Sequence, residues 1–97
     1  MAYVVSTTRR FDKCIEKMKK RSCPMDELRR VIVLLMETGV LPVKYKPQKL
    51  TGNQKGQWEC HIKPDWLLVW DQNDNEFTLL LLETGTHSDL FLYNSIN

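Results

Sequence analysis

Two histidines, an aspartate and a glutamate are the side chains whose types and spacing could do chemistry together. His61 and Asp65 stand four residues apart within Trp58-Glu59-Cys60-His61-Ile62-Lys63-Pro64-Asp65-Trp66-Leu67-Leu68-Val69-Trp70, and His87 falls in Thr84-Gly85-Thr86-His87-Ser88-Asp89. Read as a strand, the first stretch puts Trp58, Cys60 and Ile62 on one face and Glu59, His61 and Lys63 on the other. Pro64 fixes φ and Asp65 readily bonds nearby backbone groups, so a tight turn follows and Trp66 to Trp70 runs back beside the first strand. Imidazole titrates at about pH 6.5, so two of them near a carboxylate can move protons at neutral pH. The competing reading is structural, with His61 a surface residue and His87 a loop hydrogen-bonder.

The elements that must position these groups follow from periodicity. Tyr3 to Ser6 is a short β-branched run, read as a first strand. Thr7 or Thr8 can cap a helix whose Phe11, Ile15 and Met18 fall at helical spacing, opposite Arg9, Arg10, Lys13, Lys17 and Lys20. That helix ends near Arg21-Ser22, because Pro24 disfavours helical geometry just before it. Pro24 suits the first position of a second helix, whose Leu28, Val31, Ile32 and Leu35 make an apolar stripe and which Gly39 stops. Val40 to Gln57 reads as a mobile basic loop with Pro42, Pro47, Gly52, Gly56, Lys44, Lys46, Lys49 and Lys55. Strands at 57–63, 65–71 and 76–83 then form an antiparallel meander turned at Asn73-Asp74-Asn75. The unalternated run Leu79 to Leu82 predicts an interior strand covered on both sides. The expectation is an α+β fold of order β-α-α-β-β-β, a helical hairpin packed on a mostly antiparallel, curved sheet.

The chain has 97 residues, the size of one domain. Met1 to Arg10 lacks the apolar region of a signal peptide, and the longest apolar run, Val31 to Met36, is too short to span a bilayer. The expectation is therefore a cytoplasmic protein with no membrane partner. Cys14, Cys23 and Cys60 form no CxxC pair, which argues against a disulfide framework or a zinc site. All 14 Lys and Arg residues lie between Arg9 and Lys63, against six acids there (Asp12, Glu16, Asp26, Glu27, Glu37, Glu59). From Pro64 onward there are six acids and no Lys or Arg. This division suggests a basic surface for a polyanion, the alternative being solvated helix faces. Serine and cysteine nucleophile signatures, a Walker loop and a dinucleotide fingerprint are all missing. Trp58, Trp66, Trp70, Phe77 and Phe91 read first as packing residues, with Trp66 and Phe91 also placed to meet a base.

Gly56 through Trp70, together with Thr84-Gly85-Thr86-His87-Ser88-Asp89-Leu90-Phe91, resembles the YafQ branch of the RelE toxins of bacterial toxin–antitoxin systems. The β-α-α order and Leu50-Thr51-Gly52 agree, so the likeness covers about residues 3 to 91 of a single RelE-like domain spanning 1–97, with a short tail at 92–97. The resemblance implies a small endoribonuclease that cuts messenger RNA on the ribosome, needs no metal or small-molecule cofactor, and is silenced by a cognate DinJ- or RelB-like antitoxin. In that chemistry the ribose 2′-hydroxyl attacks the adjacent phosphate. His61 and His87 become acid–base candidates, Asp65 orients a histidine or meets the RNA, and Glu59 shares their polar face. Trp66 and Phe91 would shape the site and contact bases. Two positions depart from the pattern. Many relatives have a histidine where this chain has Gln48 and an arginine where it has Glu83, which would repel a phosphate unless it points elsewhere or Lys46, Lys49 or Lys55 substitutes. A catalytically weakened homologue that still binds its antitoxin is the second reading.

Overall fold

The computed structural model describes residues 2–50 and 56–90. Thr8 does cap the first helix, accepting a hydrogen bond from the Phe11 amide at 2.9 Å. The elements run β1 (Val4–Thr7), α1 (Arg9–Lys20), α2 (Met25–Thr38), a 3-10 turn (Val43–Tyr45), β2 (Gln48–Lys49), β3 (Gln57–Lys63), β4 (Trp66–Asn73) and β5 (Thr78–Gly85). Pro24 sits one place earlier than expected, as the N-cap of α2. Gly39 ends α2 with φ of 73°, and a methyl group on it would come within 2.5 Å of the Tyr3 hydroxyl. Both the left-handed backbone and the Tyr3 ring therefore require glycine here.

The strands form one sheet in the order β1-β5-β4-β3-β2, antiparallel except where β1 runs parallel to β5. The expected meander is β3-β4-β5, with β5 beginning two residues later than predicted and running on to Gly85. The predicted mobile loop is partly structured. Tyr45 is buried, the Lys44 ammonium lies 5.0 Å from its ring centroid, and β2 adds a fifth strand by pairing Gln48 with Glu59 and Lys49 with Trp58. Residues 51–55, including Thr51 and Gly52, lie outside the described residues.

Alternation in β3, β4 and β5 sorts the sheet into a covered and an open face. Cys60, Ile62, Trp66, Leu68, Trp70, Leu79 and Leu81 join Phe11, Met18, Leu28, Val31 and Leu35 in one core beneath the helical hairpin. Burial there pushes the Cys60 thiol up to about 12, which makes it a packing group and not a nucleophile. On the open face a smaller cluster forms from Leu67, Val69 and Leu90, with Leu50 and Leu82 against it. The interior position predicted for the last strand is correct by pairing, but Leu80 and Leu82 on its second face are only half-buried.

Candidate active site

Register places the ionisable residues in two rows on the open face. Gln48, Glu59, Val69 and Glu83 pair successively across β2, β3, β4 and β5, and one step along, His61, Leu67 and Gly85 pair in the same way. Neighbouring strands lie roughly 5 Å apart, so Glu59 and Glu83 stand about 10 Å apart with Val69 between them. Glu83 reaches this row through a bulge: Trp70 pairs with Leu81 and Val69 with Glu83, leaving Leu82 as the extra residue. Simple alternation from Leu79 and Leu81 would have turned Glu83 into the helix-covered core, and the bulge re-aims it.

His87 comes to the same end of the sheet from the segment after β5. Thr86 and Asp89 bond each other reciprocally, Asp89 N–H to Thr86 Oγ1 at 3.2 Å and Thr86 N–H to Asp89 Oδ2 at 3.1 Å, which starts a helical turn at residues 87–90. Asp89 also receives Lys17 at 3.1 Å and Arg21 at 2.9 Å, so α1 anchors the turn. Arg21 foremost holds the Asp89 carboxyl well below the usual carboxylate range, against partial burial.

Within the turn between β3 and β4, Asp65 Oδ1 accepts from the His87 backbone amide at 3.1 Å and lies 2.6 Å from His87 Nδ1. That ring contact first, then the amide, lowers the Asp65 carboxyl from its ordinary value. Both side chains are open to solvent, Asp65 at 70% and His87 at 55%. With Nδ1 engaged by a carboxylate, Nε2 is the nitrogen of His87 left to exchange protons with a ligand. The His61 and His87 ring centroids are 5.6 Å apart. His61 Nδ1 is buried and has no partner among the described residues. A proton there would be buried unsatisfied, so neutral His61 carries it on Nε2 and offers an N–H donor.

The sequence-predicted residues are thus only partly brought together. Glu59, His61, Asp65, His87, Gln48 and Glu83 belong to the open face or its rim. Trp66 does not: it is buried in the main core, and its Nε1–H donates to Thr84 Oγ1 at 2.9 Å, so the base-contacting role expected of it is corrected to packing. Lys49 pairs with Trp58, which puts it on the Trp58–Trp70 side of the sheet and away from His61. Lys46 is exposed in a left-handed conformation after the 3-10 turn. Lys55 and Phe91 lie outside the described residues.

Two residues to which the sequence assigned no role at the site, Arg10 and Asp89, matter to this geometry. Glu83 is buried and bonded to Arg10 Nε at 2.5 Å, so its charge is compensated from α1, 73 positions away in the chain. No local pattern signals that pair. Asp89, by contrast, was legible as the fourth residue of a Thr-x-x-Asp capping box.

A family model described as bacterial toxin of type II toxin-antitoxin system, YafQ, matches residues 3–92. The mRNA interferase toxin YafQ of Escherichia coli strain K12 is 36% identical over 83 residues, which cover 84% of this chain and 87% of that protein. The E. coli DinJ-YafQ toxin-antitoxin complex superposes with a TM-score of 0.86 at 30% identity, covering 94% of this chain and 99% of that one. A metal-bound toxin from Helicobacter pylori superposes at 0.83 with 37% identity, covering 94% and 100%. Among the described residues of the present chain, no three His, Cys, Asp or Glu side chains are grouped to hold a metal ion.

Proposed function

Because the chain belongs to the YafQ family of bacterial type II toxins, we propose that its open face cleaves messenger RNA on the ribosome through His87, Asp65, His61 and Glu59. Members of this family carry the name mRNA interferase, an endoribonuclease activity. The observation that carries the site assignment is the Asp65–His87 dyad with His61 beside it, 5.6 Å between ring centroids. The ribose 2′-hydroxyl attacks the neighbouring phosphate and the 5′-oxygen departs. His87 exchanges a proton through Nε2, and ionised Asp65 compensates the imidazolium charge. His61, as an Nε2–H donor, supports negative charge gathering on the phosphate oxygens. Glu59, on the same side of β3, completes the acid–base pair.

Compensation of Glu83 by Arg10 weakens the case for an impaired homologue, because that carboxylate does not face a phosphate as an isolated charge. The proposed protein partner is an antitoxin of the DinJ kind, and the proposed place of work is the cytoplasm, where the substrate is. Among the described residues no helix is long and apolar enough to cross a membrane.

Mapping mRNA 5′ ends on translating ribosomes tests the reading. New ends should appear with the unaltered chain and vanish with His87→Gln. Ends that persist undiminished in His87→Gln would overturn the site assignment, and their absence with the unaltered chain would overturn the nuclease.

A further inference from the structure

Asp65 and His87 meet at the surface, their side chains 70% and 55% exposed, and a pair so open to water holds its partners only weakly. What keeps His87 in place must therefore come from the segment that carries it. That segment is pinned at both ends: Thr84 is buried and donates Oγ1–H to the Leu67 carbonyl at 2.6 Å, and Leu90 is buried in the cluster with Leu67 and Val69. Between those ends, residues 86–90 make a single turn closed by the bond from the Leu90 amide to the Thr86 carbonyl at 3.1 Å. One turn does not hold together on its backbone bond alone. Asp89 supplies what the backbone lacks. Its carboxylate accepts from the Thr86 amide and lies back over the end of β5, so closely that a methyl group on Gly85 would come within 3.0 Å of Asp89 Oδ2. The same carboxylate takes Lys17 and Arg21, four positions apart at the end of α1, a helix that Phe11 and Met18 fix in the core. Arg21 offers Nη1 to Oδ2 at 2.9 Å and Nη2 to Oδ1 at 3.4 Å, a two-point contact that sets orientation as well as distance. The ring and amide of His87 both engage Asp65, so the brace from α1 reaches His87 through Asp89, two positions on.

We propose that Asp89 is a positioning residue of this site: braced by Lys17 and Arg21, it holds the turn at residues 86–90 so that His87 stays on Asp65 and beside His61. Asp89 itself acts through His87 and not on the RNA. The inference rests on the RNA-cleaving reading above for its catalytic consequence, while the placement of His87 can be read without any RNA. A displaced imidazole slows proton transfer without removing the surface that binds the strand, so loss of the brace lowers kcat and largely keeps KM.

The test is an NMR titration of the Asp65 carboxyl carbon, with thermal melting and, on programmed ribosomes, kcat and KM measured alongside. Contact with His87 is the foremost cause of the lowered Asp65 carboxyl, and the Asp89 charge opposes it more weakly. The two contributions have opposite signs. Loss of the Asp89 charge with His87 still in place lowers the Asp65 midpoint further, whereas departure of His87 raises it. In Asp89→Ala the midpoint should move up toward the ordinary carboxyl value, with kcat down about tenfold and KM within about twofold. Asp89→Asn is the gentler variant, keeping an acceptor for the Thr86 amide but losing both ion pairs; it should shift the midpoint upward by less, with kcat down about threefold. Asp89→Glu keeps the charge and still suits the third position of a capping box, so it should recover most of the loss. An Asp65 midpoint that is unmoved or lower in folded Asp89→Ala or Asp89→Asn overturns the inference, whatever the nuclease does. A raised midpoint supports the placement even if the unaltered chain fails to cleave, which would overturn the nuclease reading alone. With cleavage present, an unchanged kcat in a variant whose midpoint has risen overturns the catalytic consequence.

Discussion

The two faces of the sheet obey different rules. Beneath the helices, the polar groups of the tryptophans are satisfied within the protein: Trp66 Nε1–H donates to Thr84 Oγ1, which itself donates to the Leu67 carbonyl at 2.6 Å, and Trp70 Nε1–H donates to Gln72 at 2.9 Å. On the open face a small apolar patch, Leu67, Val69 and Leu90, is set among Glu59, His61 and Glu83, and His61 Nδ1 is left buried without a partner among the described residues. A covered face gains stability from close packing and completed hydrogen bonds. Its opposite keeps charges that stability alone does not favour, and such groups concentrate where ligands bind. Among the described residues an unpartnered buried polar atom occurs on both sides, Tyr45 Oη in the core and His61 Nδ1 on the open face.

Substitutions can break that contrast in a graded way. The largest expected effect is Trp70→Ala, which empties a fully buried site of the covered face: stability should fall by about 4 kcal/mol in denaturant unfolding, as core tryptophan deletions do. His87→Gln on the other face should leave unfolding nearly unchanged and lower cleavage by roughly a hundredfold or more, the range for loss of an acid–base group. A large stability loss in His87→Gln would erase the distinction between the faces. Smaller still is Asp65→Asn, which keeps a hydrogen-bonding side chain but removes the charge that compensates imidazolium; cleavage should drop about tenfold while the melting temperature hardly moves.

Acid gives the gentlest perturbation. Asp65, Asp74 and Asp89 all have carboxyls lowered by their partners, Tyr3 being the main one for Asp74. A carboxyl lowered in the folded state contributes stability that is present above its unfolded value of about 3.9 and is lost as pH falls through the folded value. Melting temperature should thus be flat near neutrality and decline below about pH 4, with Asp89→Asn showing a shallower decline. An identical acid limb in Asp89→Asn would remove that carboxylate from the account.

Much of the architecture was legible because it is written in local periodicity. Phe11, Ile15 and Met18, then Leu28, Val31 and Leu35, announce two helices, and the Trp58–Cys60–Ile62 alternation already separates His61 from the core. The Pro64-Asp65 turn and the Thr86–Asp89 box are likewise short-range chemistry. Trp66 misled because an aromatic next to a polar turn suits a binding site as well as a core, and only its partner Thr84, 18 positions away, decides between them. The loop from Val40 concealed β2 because two residues of strand carry no alternation to read.

By itself, then, the sequence determined which faces are apolar and, through Gly39 and Pro24, where the helices stop and start, and it marked His61, Asp65 and His87 as candidates for joint chemistry. Tertiary structure alone decided that His87 meets Asp65, that Lys49 leaves the sheet on the side away from His61, and that Glu83 faces the open side bound to Arg10. The physical reason is range. Helix and strand periodicity is set by neighbours within a few residues, whereas one bulged residue, Leu82, inverts the direction of Glu83 without leaving a mark in the composition around it.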